Sequence, residues 1–135
     1  MLIRKVVLMI ALGLTCGSAM AEWTELGASN DQFIFYANKS SIVRKGSIAK
    51  MWHIYDFKSP VSLRGKEDDL YLSLKGQNEY DCRERKTKML AYSYHSKGMG
   101  SGDVISSNYS VKETFEVIAP DSVYEMLFDV ACGKH

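Results

Sequence analysis

Residues 47–57 sort by parity into two partly apolar sets. Ile48, Trp52 and Ile54 fall on one face of an extended chain, and Met51, His53, Tyr55 and Phe57 fall on the other. A strand with apolar side chains on both faces is covered on both, which places this one inside a sheet with Trp52 and Ile54 in the core. Shorter runs rich in aromatic and β-branched residues predict further strands at 23–26, 32–37, 70–74, 79–85, 88–95 and 103–108. The breaks carry turn chemistry: Ser29-Asn30-Asp31, Lys45-Gly46 and the glycine-rich Gly98-Met99-Gly100-Ser101-Gly102. Residues 38–43 read as a connecting segment and residues 59–69 as a polar, solvated loop, and Pro60 and Pro120 stand where strand patterns stop.

Near the C-terminus the period changes from two to that of a helix. Ser122, three residues before Glu125, fits a capping box directly after Pro120, and Gly133 with Lys134 suits a helix end. A helix over 122–132 follows. Its only polar stripe is Glu125 and Asp129, so most of its circumference must be clasped by other structure. One sheet plus one such helix is an α+β fold: a single antiparallel sheet of about six strands, curved enough to hold the helix on one face.

At the other end, the pattern is that of an export signal over residues 1–21. Arg4 and Lys5 are followed by the uncharged apolar run 6–14 and by Ala19-Met20-Ala21, a small-x-small cleavage site. The run is too short to span a bilayer and no stop-transfer flank follows, so the mature chain has no transmembrane segment. Cleavage after Ala21 leaves one domain, residues 22–135, in the periplasm, at the cell surface or secreted. Cys16 raises lipidation as the alternative, but Gly13 and Thr15 stand where a lipoprotein signal carries Leu and a small residue.

Composition narrows the functional classes. Removing the signal takes Arg4 and Lys5 from the 17 basic residues, leaving 15 against 16 acidic ones and a formal net charge of −1. Nucleic-acid binding calls for a basic excess that is absent here. Cys82 and Cys132 remain, and in an oxidising compartment an isolated pair has one intramolecular connectivity. Two free thiols, or a bond between two chains, are the other arrangements. A Cys82–Cys132 bond would fasten the helix to the sheet and stabilise the fold by roughly 4 kcal/mol through loop closure.

Candidate chemistry is sparse. His53 and His95 lie on separate strands without metal-ligand spacing, His135 is terminal, and no nucleophile, base and orienting group can be assembled. Neither an enzyme nor a cofactor protein is expected. The glycine-rich turn lacks the Lys-Ser/Thr and helix of a phosphate loop. Asn38-Lys39-Ser40 and Asn108-Tyr109-Ser110 match the glycosylation sequon, relevant only in a eukaryotic secretory pathway. Arg83, Arg85, Lys86 and Lys88 form the strongest basic cluster, interleaved with Glu79, Asp81 and Glu84, and are the candidate contacts for an acidic protein partner. Eight tyrosines, two tryptophans and five phenylalanines suit both sheet packing and interfaces.

At Tyr80-Asp-Cys-Arg-Glu-Arg85, followed by Leu90, Tyr94 and the Gly98–Gly102 turn, the sequence resembles the surface-adhesin protein E family of exported bacterial proteins. The Trp just after the signal, Trp52 in the long strand and Val117-Ile-Ala-Pro-Asp-Ser122 before the helix agree with it. The resemblance covers nearly the whole mature chain. It implies a small antiparallel sheet with a disulfide-tied C-terminal helix, and adhesion through host matrix or serum proteins such as vitronectin, laminin and plasminogen. It also leaves homodimerisation open. The missing lipid-attachment pattern departs from a surface-held adhesin and suits a periplasmic or released product. Two other functions fit the residues: a periplasmic module that binds or inhibits another protein, and a haem binder using His53, His95, Met99 or nearby tyrosines as axial or stacking groups. The basic residues 83–88 and the loop 59–69 are the expected contact regions.

Overall fold

The computed structural model describes residues 22–109 and 114–133. The export signal with Cys16, part of the second sequon, and Lys134 and His135 lie outside the described residues. The chain forms a single antiparallel meander in which neighbours in sequence are neighbours in the sheet: β1 (Thr24–Ser29), β2 (Phe33–Lys45), β3 (Ile48–Ser62), β4 (Leu70–Asp81), β5 (Lys86–His95) and β6 (Val104–Asn108). A two-residue strand that the sequence pattern did not reveal, β7 (Glu116–Val117), pairs with the start of β5 through Lys86 and Thr87. The helix α1 (Val123–Ala131) then packs on one face, capped by Ser122, whose hydroxyl accepts from the Glu125 amide.

The core lies between helix and sheet. Ala37 of β2, Ala49 and Met51 of β3 and Tyr80 of β4 meet Leu127, Phe128 and Ala131 of α1, with Ile118 closing the side. Burying a leucine or phenylalanine side chain stabilises by roughly 1.5–3 kcal/mol, so Leu127 and Phe128 carry much of the helix docking. The helix is clasped less completely than its composition predicts: Met126 remains 45% exposed. The Cys82–Cys132 disulfide exists, with Cα atoms 5.7 Å apart, and joins the helix end to the residue just after β4. A second tether acts beside it, where the Arg44 guanidinium donates to the Cys132 carbonyl at 3.2 Å.

Several strands differ in extent from the pattern reading, each for a local reason. β2 continues through 38–43 because four residues bulge between the Asn38–Trp52 and Val43–Lys50 pairs. There Ser41 presents its hydroxyl to the Trp52 amide at 2.9 Å, and Ile42 turns into the core. β3 runs on past Phe57 to Ser62, and Pro60 fits because the ladder is interrupted between Asp56 and Val61. β4 is one strand across 75–78, where the sequence pattern predicts two. Gly76 sits inside it because a Cβ there would lie 2.8 Å from the His53 ring, so the glycine marks a close approach and not a turn.

The parity reading of β3 holds. Met51 and His53 are buried on the helix face, and Ile54 is buried on the opposite one. Trp52, expected in the core, is only half-buried there, beside the Lys75 ammonium, 5.2 Å from its ring centroid. The segment 98–102 covers Ile54: Asp56 accepts from the Met99 amide at 2.9 Å, and the Ser73 hydroxyl accepts from the Gly100 amide at 2.8 Å. The glycine-rich turn thus folds back as a cover over the sheet.

Candidate binding surfaces

The basic cluster is divided by the fold. The predicted strand 79–85 ends at Asp81, whose side chain accepts from the amides of Arg83 at 3.1 Å and Glu84 at 3.0 Å and so folds residues 82–85 into a turn. Arg85, at a φ of 54°, leads into β5. Its guanidinium reaches Glu125 at 3.5 Å and lies 4.8 Å from the Phe128 ring centroid, which makes it a clamp on the helix. Lys88 pairs with Glu79 at 3.2 Å and lies over the Phe115 ring at 4.6 Å. Arg83, exposed in the turn, and Lys86, half-buried at the start of β5, make no ion pair among the described residues. Of the loop 59–69, the first four residues belong to β3. The rest is a compact excursion closed by the Leu63 amide donating to the Asp69 carbonyl at 3.1 Å.

The histidines are not brought together. His53 is fully buried on the helix face, with neither ring nitrogen hydrogen-bonded, and burial pushes its pKa down to about 4. His95 lies on the opposite face, 2.7 Å from the Ser93 hydroxyl, and its pKa is lowered by burial and then by the Lys75 charge. Both imidazoles are therefore neutral near pH 7, and a sheet separates them. Met99 belongs to the segment that covers Ile54. Among the described residues, no group of three or more His, Cys, Asp or Glu could hold a metal ion. No described helix is long and apolar enough to cross a membrane.

What the fold does assemble is an aromatic surface. The helix covers one end of its sheet face, and beyond it Phe33, Tyr55, Phe57, Tyr71, Tyr92 and Tyr94 form a connected layer of half-buried rings. Phe33 stacks on Tyr55 at 4.7 Å and meets Phe57 at 5.2 Å. Phe57 meets Tyr71 at 5.4 Å, Tyr71 meets Tyr94 at 4.6 Å, and Tyr94 meets Tyr92 at 5.5 Å. The layer crosses four adjacent strands, β2 to β5, and contains no charged residue. Burial raises the pKa of Tyr71 and Tyr94, and their neighbouring tyrosines raise that of Tyr94 further, so both hydroxyls stay neutral and able to donate. Tyr124 of the helix borders the layer beside Tyr55. Parity places Tyr55 and Phe57 on one face, but which end of that face the helix leaves open depends on its docking and cannot be read from spacing.

Comparison with known proteins gives a consistent result. The model of the family described as surface-adhesin protein E matches residues 23–133. Haemophilus influenzae protein E in crystal form II has a similar structure, with a TM-score of 0.60 at 11% identity over 82% of this chain and 96% of that one. Protein E from non-typeable Haemophilus influenzae gives a TM-score of 0.61 at 11% identity, over 84% of this chain and 76% of that one. No curated protein matches the sequence at a significant level.

Proposed function

Because the chain belongs to the surface-adhesin protein E family, we propose that it is an exported, non-enzymatic binding protein that engages another protein through the open aromatic face of its sheet. The observation that carries this reading is the uncharged layer of six half-buried rings spanning β2 to β5, beside the part of the face that the helix occupies. Aromatic rings concentrate binding energy at protein interfaces because they bury a large area with few rotatable bonds, and tyrosine keeps a polar tip. The sheet and the tethered helix hold these rings in place, so little ordering cost falls on association. Host matrix and serum proteins such as vitronectin, laminin and plasminogen are the proposed partners.

The test is surface plasmon resonance of the processed protein against those three at physiological salt, alongside adherence of a deletion strain. Saturable binding to at least one, with reduced adherence, is the expected outcome. Absence of binding to all three together with normal adherence would contradict the adhesin role. It would leave the same face to a periplasmic partner or to a second copy of the chain, which cell fractionation and sedimentation velocity tell apart.

A further inference from the structure

On the sheet face opposite the helix, a hollow of about 210 Å3 lies over the ends of β2, β3 and β4, lined by Val43, Lys45, Ile48, Lys50 and Glu79. Its construction is a checkerboard. Val43 stands opposite Lys50, and Lys45 stands opposite Ile48, so each strand contributes one aliphatic and one cationic side chain at a spacing of two residues. Val43 is 52% exposed on this outer face of β2. The bulge at 39–42 produces it by sending Ile42 into the core and leaving Val43 on the outer face.

The charges are unbalanced. Lys50, Glu79 and Lys88 lie in one cross-strand row, and Glu79 is held by Lys88 at 3.2 Å. Neither Lys45 nor Lys50 has a carboxylate within ion-pair distance among the described residues. The hollow therefore presents two unpaired ammonium groups around an exposed aliphatic floor.

We infer that this hollow docks an extended acidic segment of a partner protein, in which carboxylate and aliphatic side chains alternate on one face. Alternate residues of an extended segment are about 6.4–6.8 Å apart and project to the same side, which matches the two-residue spacing of Val43 with Lys45 and of Ile48 with Lys50. The carboxylates meet the lysines and the aliphatic groups cover Val43 and Ile48. A sulfated polysaccharide would answer the charge but leave the aliphatic floor uncovered. The inference rests on the reading of this chain as a protein-binding module, and adds to it a second face and a partner chemistry.

The probe is the acetylated, amidated peptide Leu-Thr-Asp-Thr-Leu-Thr-Asp, carrying a fluorophore for anisotropy titration and unlabelled for 15N chemical-shift mapping of the processed protein. The expected result is saturable binding with the largest shifts at Val43, Lys45, Ile48 and Lys50. The double variant Lys45→Gln, Lys50→Gln should lower the affinity at least about fivefold. Val43→Ser should weaken it without changing its salt dependence. Equal melting temperatures of the variants establish that the surface and not the fold has changed. Shifts centred elsewhere, no saturation, or a heparin dodecasaccharide that displaces the peptide and binds Val43→Ser as well as wild type would overturn the inference. Retained binding of a host protein by Lys45→Gln, Lys50→Gln, with the peptide site lost, would show that this hollow does not serve that partner while the adhesin reading stands. Peptide binding at the hollow without any host-protein binding would support the hollow and contradict that reading.

Discussion

His53 holds its neutral imidazole in full burial with no hydrogen-bond partner on either nitrogen, and this makes it the acid-sensitive point of the fold. Its pKa is about 4 when folded and 6.5 ordinarily, so below 6.5 the unfolded chain binds a proton that the folded chain refuses. The contribution of His53 to stability is therefore level above about pH 6.5, falls as the pH drops through the window from 6.5 to 4, and levels again once both states are protonated. The loss amounts to about 3 kcal/mol. Urea denaturation of wild type and His53→Leu at pH 7 and pH 4 should show a smaller acid loss in the variant, because the carboxylates contribute equally to both. Parallel pH profiles would contradict it. Gly76 faces the same ring, and Gly76→Ala should cost about 1–3 kcal/mol by forcing its methyl against the imidazole. Much of that cost should disappear in the His53→Ala background, a coupling readable from a double-mutant cycle. The sequence shows a glycine in a run of strand formers, and such a glycine reads equally as a break or as a close approach. Only the register of β3 against β4 decides between them.

At the level of elements, the C-terminal helix is legible because its signals are local: a capping serine, an apolar run, a terminal cysteine and a glycine. Its binding to the sheet depends on distant residues that spacing does not reveal, namely Arg44 on the Cys132 carbonyl and Arg85 on Glu125 and Phe128. Arg85 belongs with Arg83, Lys86 and Lys88 to the basic cluster read as candidate partner contacts, and the fold also sets its guanidinium against the helix. The turn that redirects it is built by the Asp81 side chain without Gly or Asn at the positive-φ position, so the usual turn markers were missing. Cys132→Ala should lower stability by about 2–5 kcal/mol, with α1 among the first elements to lose hydrogen-exchange protection. An unchanged melting temperature would show that packing and the arginine contacts suffice. Within β3, Ile54→Ala should cost about 2–5 kcal/mol, since Ile54 is sealed beneath the 98–102 segment. Trp52→Ala should cost less than Ile54→Ala, because Trp52 is half-buried against the flexible Lys75 side chain. Chemical denaturation of the two variants gives the order directly.

Over the whole molecule, the sheet presents two unlike faces. One carries the helix at one end and an uncharged aromatic layer at the other, and the opposite face carries the folded-back segment 98–102 and the lysine-rimmed hollow. A scaffold with a disulfide-tied helix supports such surfaces without a large core. That division of labour explains why the fold was readable and the binding surfaces were only partly so: core positions follow parity, whereas surfaces arise where strands of different length outrun the helix. The decisive measurement is surface plasmon resonance of the double variant Tyr71→Ser, Tyr94→Ser against the host protein that wild type binds, with both proteins confirmed to melt as single folded species. Loss of at least about tenfold in affinity is the expected result, as befits two central aromatic contacts. Affinity within twofold of wild type would contradict the claim that the open aromatic face is where this protein holds its partner.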